Sequence, residues 1–269
     1  GTGTTATVGE KGVYIYSEAP LAQGGTITNN TAITVDTGKN ESYGIYSSQN
    51  ADNHGAINLN TGGFGNIGIY STEGTGTNHS TINVGKTDAT TEAFGIGMAT
   101  GYYDKSTGSY SNIGTVVNRG TINVTEENSI GVYAVGSGSK AINGTSGGGV
   151  NSGIINLSGT NTVGMYIDRG AVGINYGTIQ TTPNAQGTGI KGIVAVNGGI
   201  IKNYGRIIIE GAKNMGVYRD SISSYSDEAG GSNTSTVAEY IGTASDEKKI
   251  GSVTITIPPK SGTPTVSIG

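Results

Sequence analysis

The chain reads as an all-β protein, a right-handed parallel β-helix of about seven to eight coils. Three observations predict this fold. Two short phrases alternate along nearly the whole sequence, their apolar residues recur at fixed offsets, and no stretch carries the helical period of an amphipathic segment.

The first phrase is "GIY" and its variants. It begins at Gly12, Gly44, Gly68, Gly95, Gly131, Gly164, Gly192 and Gly216. The residue after each glycine is apolar: Val13, Ile45, Ile69, Ile96, Val132, Met165, Ile193 and Val217. The residue before it is mostly apolar too, so strand alternation sends both inward and leaves the glycine and the tyrosine outward. The second phrase is "NxGTI", seen as "GGTI" at Gly24 and then from Asn53, Asn78, Asn118, Asn151, Asn175 and Asn203. Its inward anchor is isoleucine each time: Ile27, Ile57, Ile82, Ile122, Ile155, Ile179 and Ile207. A third short apolar segment, as in "AVGIN" and "GIIKN", precedes some of the asparagines.

Three strands per coil follow, with successive phrases as little as 24 residues apart. One coil cannot bury its own Ile and Val, whereas stacked coils share a continuous core. At the usual strand spacing the rod is roughly 35–40 Å long. The repeated asparagine is expected at a corner, in left-handed backbone and bonded to the next coil's asparagine, with the glycine two residues on easing the bend. The whole of residues 1–269 reads as one β-helix segment, a piece of a longer passenger. Insertions are expected at Thr100–Thr115, Gly136–Gly149 and Ser221–Lys249, and a further strand at Gly251.

Composition narrows the function. The 269 residues hold 49 glycines and no cysteine, which removes disulfides and thiol chemistry. Fifteen basic residues stand against 19 acidic ones without a basic cluster, so no nucleic-acid partner is expected. No apolar run is long enough to cross a membrane as a helix. Phosphate-loop, HExxH metalloprotease and EF-hand motifs are missing, and no cofactor is expected.

Candidate binding residues are the outward tyrosines Tyr14, Tyr46, Tyr70, Tyr133, Tyr166 and Tyr218, a column interrupted at Gly97 and Val194, together with Tyr102 and Tyr103 in the first insertion. Stacked rings on a solenoid face can hold sugars, or they can simply cover the strand ladder. His54 and His79 share a register, but no further ligand stacks with them to hold a metal. Asp168 and Asp220, each beside an arginine (Arg169 and Arg219), share a register two coils apart, a spacing that suits an inverting glycosidase as well as ordinary surface ion pairs.

With "GIY…NxGTINV…GIY" laid out over residues Gly12 to Ile257, the chain resembles the passenger regions of bacterial type V autotransporter adhesins, most of all the large fusobacterial, RadD-like ones. The resemblance implies cell-surface display at the outer membrane, a translocator barrel in the full-length chain, and attachment to glycans or proteins on host or bacterial cells. It lends no catalytic residues. A non-enzymatic adhesive passenger segment is therefore expected. The alternatives are a β-helical polysaccharide lyase or glycoside hydrolase, and a pure spacer.

Overall fold

The computed structural model describes residues 5–60, 62–85, 95–242 and 266–268. The chain is a parallel β-solenoid whose coils each contribute one strand to three sheets. Sheet 1 has nine strands, from Val13–Ser17 to Glu239–Gly242, and contains the GIY phrases. Sheet 2 has eight, from Ile27–Asn29 to Ser224–Asp227. Sheet 3 has ten; nine run from Thr5–Val8 to Ser232–Asn233, and Val266–Ile268 lies antiparallel against the first of them. The core is the shared interior, lined by Ile45, Ile69, Met98, Val132, Met165, Ile193 and Val217 from sheet 1 and by the isoleucine column from sheet 3.

A buried line of amides joins the coils where sheet 2 turns into sheet 3. Asn29 donates to Asn53 at 2.7 Å, Asn53 to Asn78 at 3.0 Å, and Asn78 to Asn118 at 3.0 Å. Asn118 then donates to Asn143 at 2.9 Å, Asn143 to Asn175 at 2.9 Å, Asn175 to Asn203 at 2.8 Å, and Asn203 to Asp227 at 2.6 Å. Asn53, Asn78, Asn118, Asn143, Asn175 and Asn203 are all 0 % exposed. The same side chains bond the corner backbone two residues on, as Asn29 does to Thr31 and Asn78 to Ser80. An amide with two donors and two acceptor sites can thus serve its own turn and both neighbouring coils.

Several details of register differ from the sequence expectation. In the first coil the ladder residue is Asn29 and the core anchor is Ile33, which pairs with Ile57, while Ile27 belongs to sheet 2 opposite Ala51. In the fifth "NxGTI" coil the ladder residue is Asn143, because a loop separates it from the following strand Ile154–Leu157, and Asn151 lies exposed in that loop. None of the ladder asparagines has positive φ; the left-handed asparagines are Asn112, Asn128, Asn161, Asn184 and Asn197, elsewhere in the coils. The glycine two residues after the ladder is needed for closeness instead. A Cβ on Gly120 would sit 2.0 Å from the Ser80 carbonyl oxygen, and one on Gly177 would sit 1.9 Å from that of Gly153.

Glycine in the GIY phrase also has a different role from the expected one. A Cβ on Gly131 would point inward, 3.1 Å from Ile155 Cγ2, and would lie 2.6 Å from the Gly164 carbonyl oxygen. Gly44, Gly68, Gly97, Gly164 and Gly192 show the same approach to the next glycine. The glycine and the residue after it therefore both face the interior, and alternation breaks there. Ile67, Ile96, Ile130 and Val163, expected inside, pack with the tyrosines in a second apolar cluster separate from the main core.

The insertions also move. Lys140–Asn143 is a regular sheet 2 strand, so the second insertion spans roughly residues 144–153 rather than 136–149. Residues 224–242 continue the solenoid in all three sheets, so the third expected insertion is mostly one further turn. The strand expected at Gly251 lies outside the described residues.

The buried ladder predicts an asymmetry in mutational cost. Asn118→Ala strands a donor on Asn78 and an acceptor on Asn143, and is expected to cost about 3 kcal/mol. Asn123→Ala, on the half-exposed outer face of sheet 3, is expected to cost less than about 1 kcal/mol, because water replaces the missing partners. Urea unfolding of both variants checks the difference.

Candidate binding surface

The tyrosine column exists, but in a shifted register and largely out of reach of solvent. Tyr16 pairs with Tyr46 and Ile15 with Ile45, so Tyr14 falls opposite Gly44 and packs against the main core. Ala99, not Gly97, pairs with Tyr70 and Tyr133, and Tyr240 extends the column beyond Tyr218. Tyr46, Tyr70, Tyr133 and Tyr218 are buried, and Tyr70 is 0 % exposed. Tyr166 is half-buried and stacks on Tyr133 with ring centres 5.6 Å apart.

The first insertion covers the middle of the column. Tyr102–Asp104 and Ser109–Ser111 form an antiparallel hairpin. Its base is tied down by Tyr70, whose hydroxyl donates to the Gly101 carbonyl at 3.0 Å and accepts from Asn112 at 3.0 Å. Tyr102 and Tyr103 pack against the tyrosine cluster, and the Arg169 guanidinium lies 4.2 Å from the Tyr103 ring centre. Burial raises the Tyr43, Tyr70 and Tyr133 hydroxyls well above the ordinary tyrosine range. Sheet 1 thus carries a second core on its outer side, in which Tyr46, Tyr70, Tyr133 and Tyr218 are buried, while Tyr16 and Tyr240 at the two ends of the column are each 44 % exposed.

The paired acids are likewise engaged by the chain itself. Asn197 bridges them, donating its side-chain amide to Asp168 at 2.8 Å and its backbone N–H to Asp220 at 2.6 Å. The other Asp168 oxygen binds Arg169, and the other Asp220 oxygen accepts from the Ser223 backbone at 2.9 Å. Burial pushes the Asp168 carboxyl above the usual carboxylate range, while the Asn197 and Arg169 contacts pull it back. Arg219 is turned away to Glu239. His54 and His79 stack 4.5 Å apart and nearly parallel, and His79 lies 3.6 Å from Asp52. Among the described residues no three His, Asp or Glu converge.

The outward face of sheet 2 is different, and sequence reasoning passed over it. Strand pairing sets Lys140, Val172 and Ile200 in one row and Val117, Ile142, Ile174 and Lys202 in the next. Beside them, at the corner after the ladder, Tyr176 stacks on Tyr204 with ring centres 5.0 Å apart. Ile142, Val172, Ile174 and both tyrosines are half-buried, Ile200 is 38 % exposed, and Ile222 in the adjoining turn is 73 % exposed. Arg119, Lys140, Lys202 and Arg206 border this surface, and none of them forms a salt bridge among the described residues. The result is an open aliphatic and aromatic patch with a cationic rim on a chain whose net charge is −4. The signal was present in the sequence as alternation in "KAIN", "VGIN" and "IIKN", whose other residues face the core.

A cleft of about 460 Å³ opens at the corner between sheets 3 and 1, lined by Thr182, Gln186, Glu210 and Lys213 among others. It is polar and holds no convergent set of chemical groups.

Residues 53–146 match the family model of the BigA third pectate lyase-like domain. The match covers about a third of the chain and spans the coils from Asn53 through the hairpin to the loop after Asn143. It supports a β-helical protein of the bacterial surface. No curated protein and no solved structure matches the chain.

One buried cation gives the surface of sheet 1 a pH signature. Lys191 sits between Val163 and Met215, is 3 % exposed, and donates to the Gly189 carbonyl at 2.8 Å. Burial lowers its amine to about 8. A group that binds its proton less tightly folded than unfolded adds stability as pH rises from that value towards its ordinary 10.5. The buried tyrosines act oppositely once unfolded tyrosine ionises near pH 10, which closes the window. Between pH 8 and 10 the protein is expected to gain about 2 kcal/mol relative to Lys191→Met, read as the difference between their urea unfolding curves.

Proposed function

We infer that this chain is a β-helical passenger segment displayed at the bacterial cell surface, of the autotransporter kind, and that it acts in adhesion through the outer face of sheet 2. The observation carrying this reading is the patch of Ile142, Val172, Ile174, Ile200, Tyr176 and Tyr204 with its free cationic rim. Exposed apolar surface bordered by polar groups is the usual mark of an interaction site. The family match to a domain of the BigA protein agrees with surface display; the outer-membrane, RadD-like part of the reading rests on the resemblance of the repeat phrases alone. The lyase or glycosidase alternative needs free carboxylates facing a groove, whereas Asp168 and Asp220 already hold Asn197, Arg169 and Ser223.

The test is binding of the purified chain to immobilised host and bacterial cells, with released sugar ends assayed in the same wells. Binding without turnover is the expected outcome. The double variant Ile174→Asp/Ile200→Asp is expected to weaken binding at least about tenfold, since burying one such side chain against a partner is worth on the order of 1–2 kcal/mol. Turnover, or binding indifferent to both substitutions, would sink the reading.

A further inference from the structure

The outer face of sheet 3 carries a second line of amides. Asn83 donates to Asn58 at 2.8 Å, Asn123 to Asn83 at 2.9 Å, Asn156 to Asn123 at 3.0 Å, and Gln180 to Asn156 at 3.0 Å. Unlike the interior ladder, these side chains are half-exposed. Each primary amide has two N–H donors and two acceptor lone pairs. A member in the middle of the line uses one of each on its neighbours. One donor and one acceptor per coil therefore remain turned to solvent, repeated in a straight row at about 4.8 Å.

The surroundings are uniform. From Ala32–Val35 to Thr178–Thr181 the outward positions of sheet 3 hold Ala, Thr, Asn, Gln and a single large aliphatic, Ile154, with no charged side chain. Thr81 and Thr121 run beside the amides in register. Such a face has too little apolar area to hold a folded protein, and the cation in its outward row, Arg206, stands one coil beyond Thr178, too little charge to hold an acidic polymer along the row.

We propose that this row is a binding track for an extended, uncharged glycan lying along the rod axis, one sugar unit per coil. A sugar hydroxyl both donates and accepts, which matches the donor and acceptor left on each amide. An extended β-1,4-linked hexopyranose chain advances per unit by nearly the same distance as one coil; alternate units turn opposite edges to the row, and both edges carry hydroxyls that an amide can bond. Threonine methyl groups at Thr81 and Thr121 meet the C–H faces of the rings. Each contact is weak, and affinity comes from repetition. The track lies on a different sheet from the patch in the adhesion reading and does not depend on it.

The experiment is retention of the purified chain on microcrystalline cellulose and on chitin, with polygalacturonate as the anionic control, followed by titration with cello-oligosaccharides of increasing length. Retention on the neutral polymers is expected, with affinity rising as the oligosaccharide lengthens. The triple variant Asn83→Leu/Asn123→Leu/Asn156→Leu is expected to lose at least about tenfold in affinity, the sum of several neutral hydrogen bonds. Circular dichroism and the urea midpoint establish that it folds; should it not, Asn123→Leu alone is expected to weaken binding to a smaller degree. The proposal is overturned by no retention on either neutral polymer, by equal retention on polygalacturonate, or by affinity unchanged in the folded variants. It is also overturned if retention falls only in Tyr176→Ala/Tyr204→Ala, or if sedimentation shows the track buried between two copies. Loss of polymer retention in the asparagine variants with cell binding unchanged supports the track and leaves the adhesion reading standing; polymer retention unchanged in them removes the track alone.

Discussion

The interior line from Asn29 to Asp227 is the constraint on which the other features rest. Each amide must reach the next coil at hydrogen-bond distance while closing its own corner. That requirement sets the coil-to-coil approach, and the approach leaves no room for a Cβ at Gly120, Gly177 or Gly205. It also fixes the register of sheets 2 and 3, because the strands on either side of the corner cannot slip without breaking a buried polar chain. The isoleucine column then stacks in the core without any specificity of its own. Apolar contacts supply most of the stabilisation, and the amides decide which arrangement of those contacts is adopted.

On sheet 1 a different close approach does the corresponding work. Glycine over glycine, from Gly44 to Gly192, lets adjacent backbones meet and breaks the alternation of the strand. The break delivers two apolar sets from one strand, Ile69 to the interior and Ile67 with Tyr70 to the outside. Bare tyrosine and isoleucine on the outside would be a liability, and the hairpin from Gly101 to Ile113 covers part of it. Sheet 2 keeps its outward aliphatics open, sheet 3 keeps an uncharged polar row open, and the middle of sheet 1 is roofed. The three faces of one repeat thus have three distinct chemistries.

Periodicity made the coil and its three strands legible, because a phrase that must turn the same corner has to recur. Register was less legible. "GVY" at Gly12 and "GIG" at Gly95 resemble the phrase, yet the paired residues lie two positions on, at Tyr14–Tyr16 and Gly97–Ala99. Asn151 looks like the ladder residue because "NSGII" follows the pattern, but a loop has been inserted between the true member, Asn143, and its strand. The burial of the middle tyrosines was not legible for a physical reason: outward is not the same as exposed when a hairpin from one coil folds over its neighbours, and that packing leaves no mark in local sequence. The sheet 2 patch was legible in principle, as alternation on the side away from the core, but its apolar residues read like a second copy of the interior.

The interior ladder has a direction. Every amide passes its N–H towards the C-terminal coil, and among the described residues the row ends at Asp227, a carboxylate with acceptors and no N–H to pass on. Gene duplication of a single coil is therefore not equally tolerated along the rod. A copy spliced between any two asparagines inherits a donor from one side and an acceptor from the other, and the chain lengthens without a seam. A copy spliced after Asp227 receives no donor and must found a row of its own. A coil added within the row therefore extends it, whereas one added after Asp227 begins a row of its own.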